Sequence, residues 1–120
     1  MTTKRRVLLV EDDRDLAEVL CEDLIRGGYT VTLADSVQGA KEQVAEQPAF
    51  EVLITDLHLP DGEGVELART LGIPICLALT GASWAKASER LPDDFAAVLV
   101  KPISGQQLGE ALLKCLSGEK

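Results

Sequence analysis

Short, uninterrupted apolar runs alternate with segments of helical period along this sequence, and that alternation restricts the fold more than any other feature. Residues 7–10 (VLLV) form the first run, the pattern of a strand covered on both faces. Leu16, Val19, Leu20 and Leu24 then recur at helical spacing, opened by acids at 12, 13 and 15 and closed by Gly27 and Gly28. Residues 29–33 read as a second strand, rich in β-branched side chains. Ser36 reads as an N-cap, and Val37, Ala40 and Val44 make one stripe before Pro48 ends the helix. A third strand is expected over 50–55, a short helix over 64–71, and a fourth strand over 75–79 with Pro74 at its entry. A weak helix over 83–91 and a fifth strand over 97–100 follow. Ser104 and Gln107 form a capping box. It opens the clearest helix, with Leu108, Ala111, Leu112, Cys115 and Leu116 in register.

Five βα units with continuous apolar strands imply a parallel sheet with helices on both faces and right-handed crossovers. Five strands are too few for an eight-stranded barrel. The expected fold is therefore α/β, a doubly wound (βα)5 sheet of flavodoxin-like order 2-1-3-4-5. The 120 residues suit one domain, 1–120, large enough for a core without disulfides or structural metal. With only Tyr29, Phe50, Trp84 and Phe95 aromatic, that core must be aliphatic, and Trp84 reads as a packing residue. Cys21, Cys76 and Cys115 show no CxxC pair and read as small reduced residues in or beside the core.

Charge and hydropathy exclude several functions. A net charge of −8 argues against a grip on nucleic acid or an anionic membrane. No apolar run approaches the length of a membrane span, and no secretory leader is apparent, so a cytoplasmic location is expected. The Gly62-Glu63-Gly64 stretch reads as a turn. No GxGxxG follows the first strand, which disfavours a dinucleotide site.

In this fold, function belongs at the carboxyl ends of the strands, around the switch point between the first and third. The residues there are Glu11 and Asp12 after the first strand, Asp56 after the third, Thr80 after the fourth and Lys101 after the fifth. Each alone has an ordinary explanation: helix-start charge, a turn acid, a β-former, a solvated lysine. Jointly they describe a site. Crowded carboxylates need a cation, and Mg²⁺ suits them, since it takes one or two carboxylates and leaves room for phosphate oxygens. Zinc would want His or Cys, and His58 is the sole histidine. A hydroxyl and an ammonium beside such a cation suit a phosphoryl group.

The stretches LLVEDD, LITDLHLPDGEG, LALTG and LVKP stand in an order that resembles the receiver domain of two-component response regulators, over residues 5–117. The resemblance implies that Asp56 accepts a phosphoryl group from the phosphohistidine of a histidine kinase or histidine phosphotransfer protein. Asp12 and Asp56 would ligate Mg²⁺ directly, Glu11 through water, and His58 through its backbone carbonyl, its side chain facing solvent. Thr80 and Lys101 would contact the phosphoryl oxygens, and the Lys101-Pro102 peptide would be cis. Asp13 lies one position past the acidic pair and reads as helix-start charge. Such a domain is not an enzyme in the usual sense, catalysing only its own phosphorylation and dephosphorylation, and passes its state to a downstream protein or effector domain. It is expected as a monomer or weak homodimer.

Departures from the family pattern accompany the match. The span from Asp56 to Thr80 is short, Val98 stands where an aromatic is usual, and Gly81 and Ala82 follow Thr80. With no ring at 98, the response to phosphorylation is expected mainly over 81–91. Two other readings are a pseudo-receiver that binds partners unmodified, and a small Mg²⁺-dependent phosphohydrolase with Asp56 as nucleophile. The second would want an acid at position 58, where His58 stands.

Overall fold

The computed structural model describes residues 5–47, 49–81 and 95–117. The elements are β1 (Arg6–Val10), α1 (Arg14–Arg26), β2 (Thr30–Ala34), α2 (Val37–Glu46), β3 (Val52–Asp56), β4 (His58–Leu59), β5 (Gly62–Glu63), α3 (Gly64–Leu71), β6 (Ile75–Thr80), β7 (Ala97–Val100) and α4 (Gly105–Ser117). The main sheet is parallel in the order β2-β1-β3-β6-β7, the order 2-1-3-4-5 expected from the sequence. The helix expected over 83–91, with Ala82 and Trp84, lies outside the described residues.

The sheet has a core on each face because its central strands carry runs of consecutive apolar residues, 7–10, 52–54 and 75–79. On β1, Leu8 and Val10 face the cluster that holds Ala40 of α2 and Leu67 and Ala68 of α3. Val7 and Leu9 face the other cluster, with Leu20 and Leu24 of α1 and Leu108 and Leu112 of α4. β3 and β6 divide the same way, Leu53 and Ala78 to the first face, Ile54 and Leu77 to the second. Each such leucine or isoleucine contributes roughly 1.5–3 kcal/mol by leaving water, so the sheet supplies a rigid base for its carboxyl end. Val98 is partly buried against the first cluster. Cys76 is buried, Cys21 and Cys115 are half-buried, and all three are free thiols.

The caps follow the sequence signals. Ser36 accepts from Gly39 N at 3.0 Å, and Ser104 and Gln107 bond reciprocally, N to Oε1 at 3.0 Å and N to Oγ at 3.1 Å. Asp13 is the N-cap of α1, accepting from Leu16 N at 3.2 Å. Gly109, in the interior of α4, has open space where a Cβ would stand. Gly109→Ala should therefore stabilise the protein by about 0.5–1 kcal/mol through helix propensity, read as a higher urea midpoint at constant slope. No change or a loss would contradict this.

Several details differ from the sequence reading, the third strand starting at Val52 among them. β2 starts at Thr30 because Tyr29 N–H is already used in ending α1: it donates to Leu24 O, and Gly28 N–H to Ile25 O, with Gly28 at φ 99°. β3 extends through Asp56, whose Cα pairs in register with Leu79. Gly62 and Glu63 form no simple turn. They pair antiparallel with His58 and Leu59 around Pro60 and Asp61, making a small hairpin at the end of β3. No helix among the described residues is long and apolar enough to cross a membrane.

Candidate functional site

Parallel strands ending together bring residues distant in sequence to one edge. β1 and β3 are adjacent, so Glu11 and Asp12 stand beside Asp56. The ladder between β6 and β7 ends at Thr80 and Val100, and Lys101 N–H continues it to Thr80 O at 2.7 Å. That extra bond places Lys101 to reach across Thr80 toward the acids. The Lys101-Pro102 peptide is cis.

The Lys101 ammonium lies between two carboxylates. It donates to Asp56 Oδ2 at 2.7 Å and sits 2.6 Å from Glu11 Oε1. The second contact is a short ion pair, and among the described residues Oε1 has no other donor. The other oxygen, Oε2, accepts from Asp13 N at 3.0 Å. Glu11 is 1% exposed and Asp56 8% exposed, while Asp12 is open to solvent. Burial raises the Glu11 pKa, and the Lys101 contact and the Asp13 N–H only partly offset it. Burial also works against the Lys101 ammonium, but its bonds to Asp56 and Glu11 prevail and its pKa is raised.

Oxygens of Glu11, Asp12 and Asp56 lie within 4.8 Å of one another. Three carboxylates thus stand together, and the one ammonium among them contacts only two, Glu11 and Asp56. This all-oxygen set could hold a hard cation such as Mg²⁺. Beside it, a groove of about 630 Å³ opens between α1 and α2, lined by Asp12, Glu18, Asp35 and Glu42 among others.

Thr80 is fully buried at the strand end, and its hydroxyl donates to Gly81 O at 3.4 Å. His58 N–H donates to Asp56 Oδ1 at 3.1 Å. The His58 ring turns outward, with Nδ1 3.1 Å from Glu63 Oε2 and both side chains mostly exposed.

Two residues that the sequence reading passed over shape the loop after Asp56. Gly64 N–H donates to Leu57 O at 2.8 Å, so close that a Cβ on Gly64 would lie 2.3 Å from Asp56 O. Asp61 accepts from Val37 N at 2.7 Å and Gln38 N at 2.9 Å, joining the hairpin to α2. Pro60-Asp61-Gly62 is a common turn sequence and sits at the tip of the hairpin.

Residues 7–113 match the family model of the response regulator receiver domain. The chain belongs to this family. Among curated relatives, the response regulator receiver protein CpdR of Brucella abortus is 43% identical over 65 residues, 54% of this chain and 53% of CpdR. The response regulator protein FleR of Pseudomonas aeruginosa is 31% identical over 119 residues, 95% of this chain and 25% of FleR. The matched segments thus cover about half of CpdR and a quarter of FleR. Among solved structures, a CheY-like receiver domain protein from Methanospirillum hungatei superposes with a TM-score of 0.82 at 26% identity, covering 97% of this chain and 96% of that one. A sensor protein from Polaromonas gives 0.81 at 28% identity, with 97% and 98% covered.

Proposed function

We propose that this receiver domain takes a phosphoryl group onto Asp56 from a histidine kinase or histidine phosphotransfer protein, in a Mg²⁺-dependent reaction. The observation that carries this reading is the arrangement around Asp56. Its carboxylate is held by Lys101 Nζ at one oxygen and His58 N–H at the other, beside two further acids. Mg²⁺ held by Asp12, Asp56 and the His58 carbonyl, with Glu11 acting through water, would supply neutralising charge for the incoming phosphoryl oxygens.

The chain's own residues do the rest. A carboxylate oxygen of Asp56 bonds to phosphorus while the bond from phosphorus to the partner's imidazole nitrogen breaks, its electron pair leaving with the ring. Lys101 passes from the carboxylate to a phosphoryl oxygen. Thr80 exchanges its bond to Gly81 O for one to another phosphoryl oxygen. The half-buried ammonium and the buried hydroxyl are held in place before the phosphoryl group arrives. The modified domain then signals to a downstream protein or effector domain by a change of shape. This reading places the domain in the cytoplasm, as a monomer or weak dimer, with no nucleic acid held by these residues.

The test is Mg²⁺-dependent labelling by acetyl phosphate, followed by intact mass. One added phosphoryl group is expected with Mg²⁺, none with chelator and none in Asp56→Ala. Equal labelling of Asp56→Ala would remove the assignment. A wild-type chain that is never modified would favour the reading as an interaction module.

A further inference from the structure

The hairpin after β3 is tied to α2 by a carboxylate distant in sequence. Asp61, at the hairpin tip, accepts from the first two amides of α2, Val37 N and Gln38 N, with both of its oxygens. Gly62 packs beside it, where a Cβ would approach Val37 Cγ2 to 3.1 Å. α2 has no acid in its own first turn, so Asp61 supplies the anion that the positive end of the helix dipole favours. The Gln38 and Val37 amides hold its carboxyl below the usual carboxylate range. Ser36 satisfies the next amide, Gly39 N. α2 is itself anchored through Ala40, which is buried in the core.

From that anchor the geometry runs back to the site. The hairpin pairs His58 with Glu63, and Gly64 N–H holds Leu57 O at its base. His58 N–H in turn holds Asp56 Oδ1. An exposed aspartate with two backbone bonds across 23 and 24 residues is more than surface charge. We propose that Asp61 is a positioning residue for the cation site, fixing the acceptor loop against α2 so that the Asp56 carboxylate and the His58 carbonyl keep one geometry. This rests on the reading of Glu11, Asp12 and Asp56 as a Mg²⁺ site.

Calorimetric titration of the full chain with MgCl₂ alone tests it. Asp61→Ala should raise the Mg²⁺ Kd about tenfold, the lower end of the effect of removing groups that orient metal ligands. Asp61→Asn keeps an accepting oxygen and should recover most of the affinity. Ser36→Ala removes a cap from the same helix end without touching the hairpin, so its Kd should stay within about twofold. A purely structural role would lower the unfolding midpoint in Asp61→Ala and Ser36→Ala alike and leave both Kd values at wild type. That result, or equal weakening in the two variants, would overturn the proposal while the cation site stands. A wild-type chain that binds no Mg²⁺ would overturn the site reading, and Asp61's role with it.

Discussion

Gly64→Ala is expected to destabilise the domain by about 3 kcal/mol or more, a fall in Tm of roughly 10–15 °C for a domain of this size. The added methyl would lie 2.3 Å from Asp56 O, 3.1 Å from Asp56 C and 3.0 Å from Leu57 Cα. These are backbone atoms, so no rotamer relieves the clash. Nor can the strand end retreat cheaply, since Leu57 N–H is bonded to Leu79 O at 3.0 Å and Asp56 is in register with the same residue. The remaining escape is for α3 to move outward, which gives up the Gly64 N–H bond to Leu57 O and loosens Leu67 and Ala68 in the core. Asp56 would shift in either case, so phosphoryl uptake should fall even in protein that remains folded. Gly62→Ala is the control, because its new methyl meets only the Val37 side chain, which can turn, and should cost under about 1 kcal/mol. Urea unfolding of the two variants decides. A Gly64→Ala protein as stable as wild type would show that the loop after Asp56 is far softer than its bonds imply.

That glycine illustrates which parts of the molecule a sequence displays. Residues 7–10 and 75–79 announce buried strands because both faces of the sheet are covered, so every position must be apolar. Ser36 and Ser104 announce helix starts because their bonds are local, three residues on. The acids at 11, 12 and 56 become meaningful once strand order brings their strand ends together, and the order itself follows from alternation. Two-residue strands such as β4 and β5 have no period to detect, and from sequence Gly62-Glu63-Gly64 reads only as a turn. Tyr29 has the composition of a strand residue, yet its amide closes α1, a choice settled by the left-handed Gly28. Asp61 looks like any turn aspartate, because its partners lie 23 and 24 residues away. The role proposed for His58 rests on the family resemblance alone, since a backbone carbonyl leaves no mark in side-chain identity. Lys101 was legible as a member of the site but not in its partners. The sequence pairs it with a phosphoryl group, whereas in this structure it bridges Glu11 and Asp56.

Lys101→Met should be the second large perturbation, costing about 3 kcal/mol at neutral pH in metal-free buffer, near the lower end for breaking a buried ion pair because Lys101 and Asp56 keep some contact with water. The pH dependence gives the cause a signature. The Glu11 pKa is raised in the fold, so its contribution to stability is present below its ordinary 4.5 and is lost as pH rises through the raised value. Lys101 limits that loss by pulling the Glu11 pKa down. In Lys101→Met the Glu11 pKa climbs further, and the loss should extend toward neutral pH, with the gap to wild type closing on acidification. The Lys101 pKa is also raised, so its own contribution is present below 10.5 and disappears as pH rises through the folded value. Wild type should therefore weaken at the alkaline end, and the variant should lack that limb. Mg²⁺ should stabilise the variant more than wild type at pH 7, because a cation among Glu11, Asp12 and Asp56 replaces charge that the ammonium no longer provides. Unfolding curves across pH, with chelator and with Mg²⁺, separate these effects. If the variant matched wild type at pH 7 and showed no extra response to Mg²⁺, the ion pair would contribute nothing net, and the desolvation of Glu11 would have to be balanced by Asp13 N–H alone.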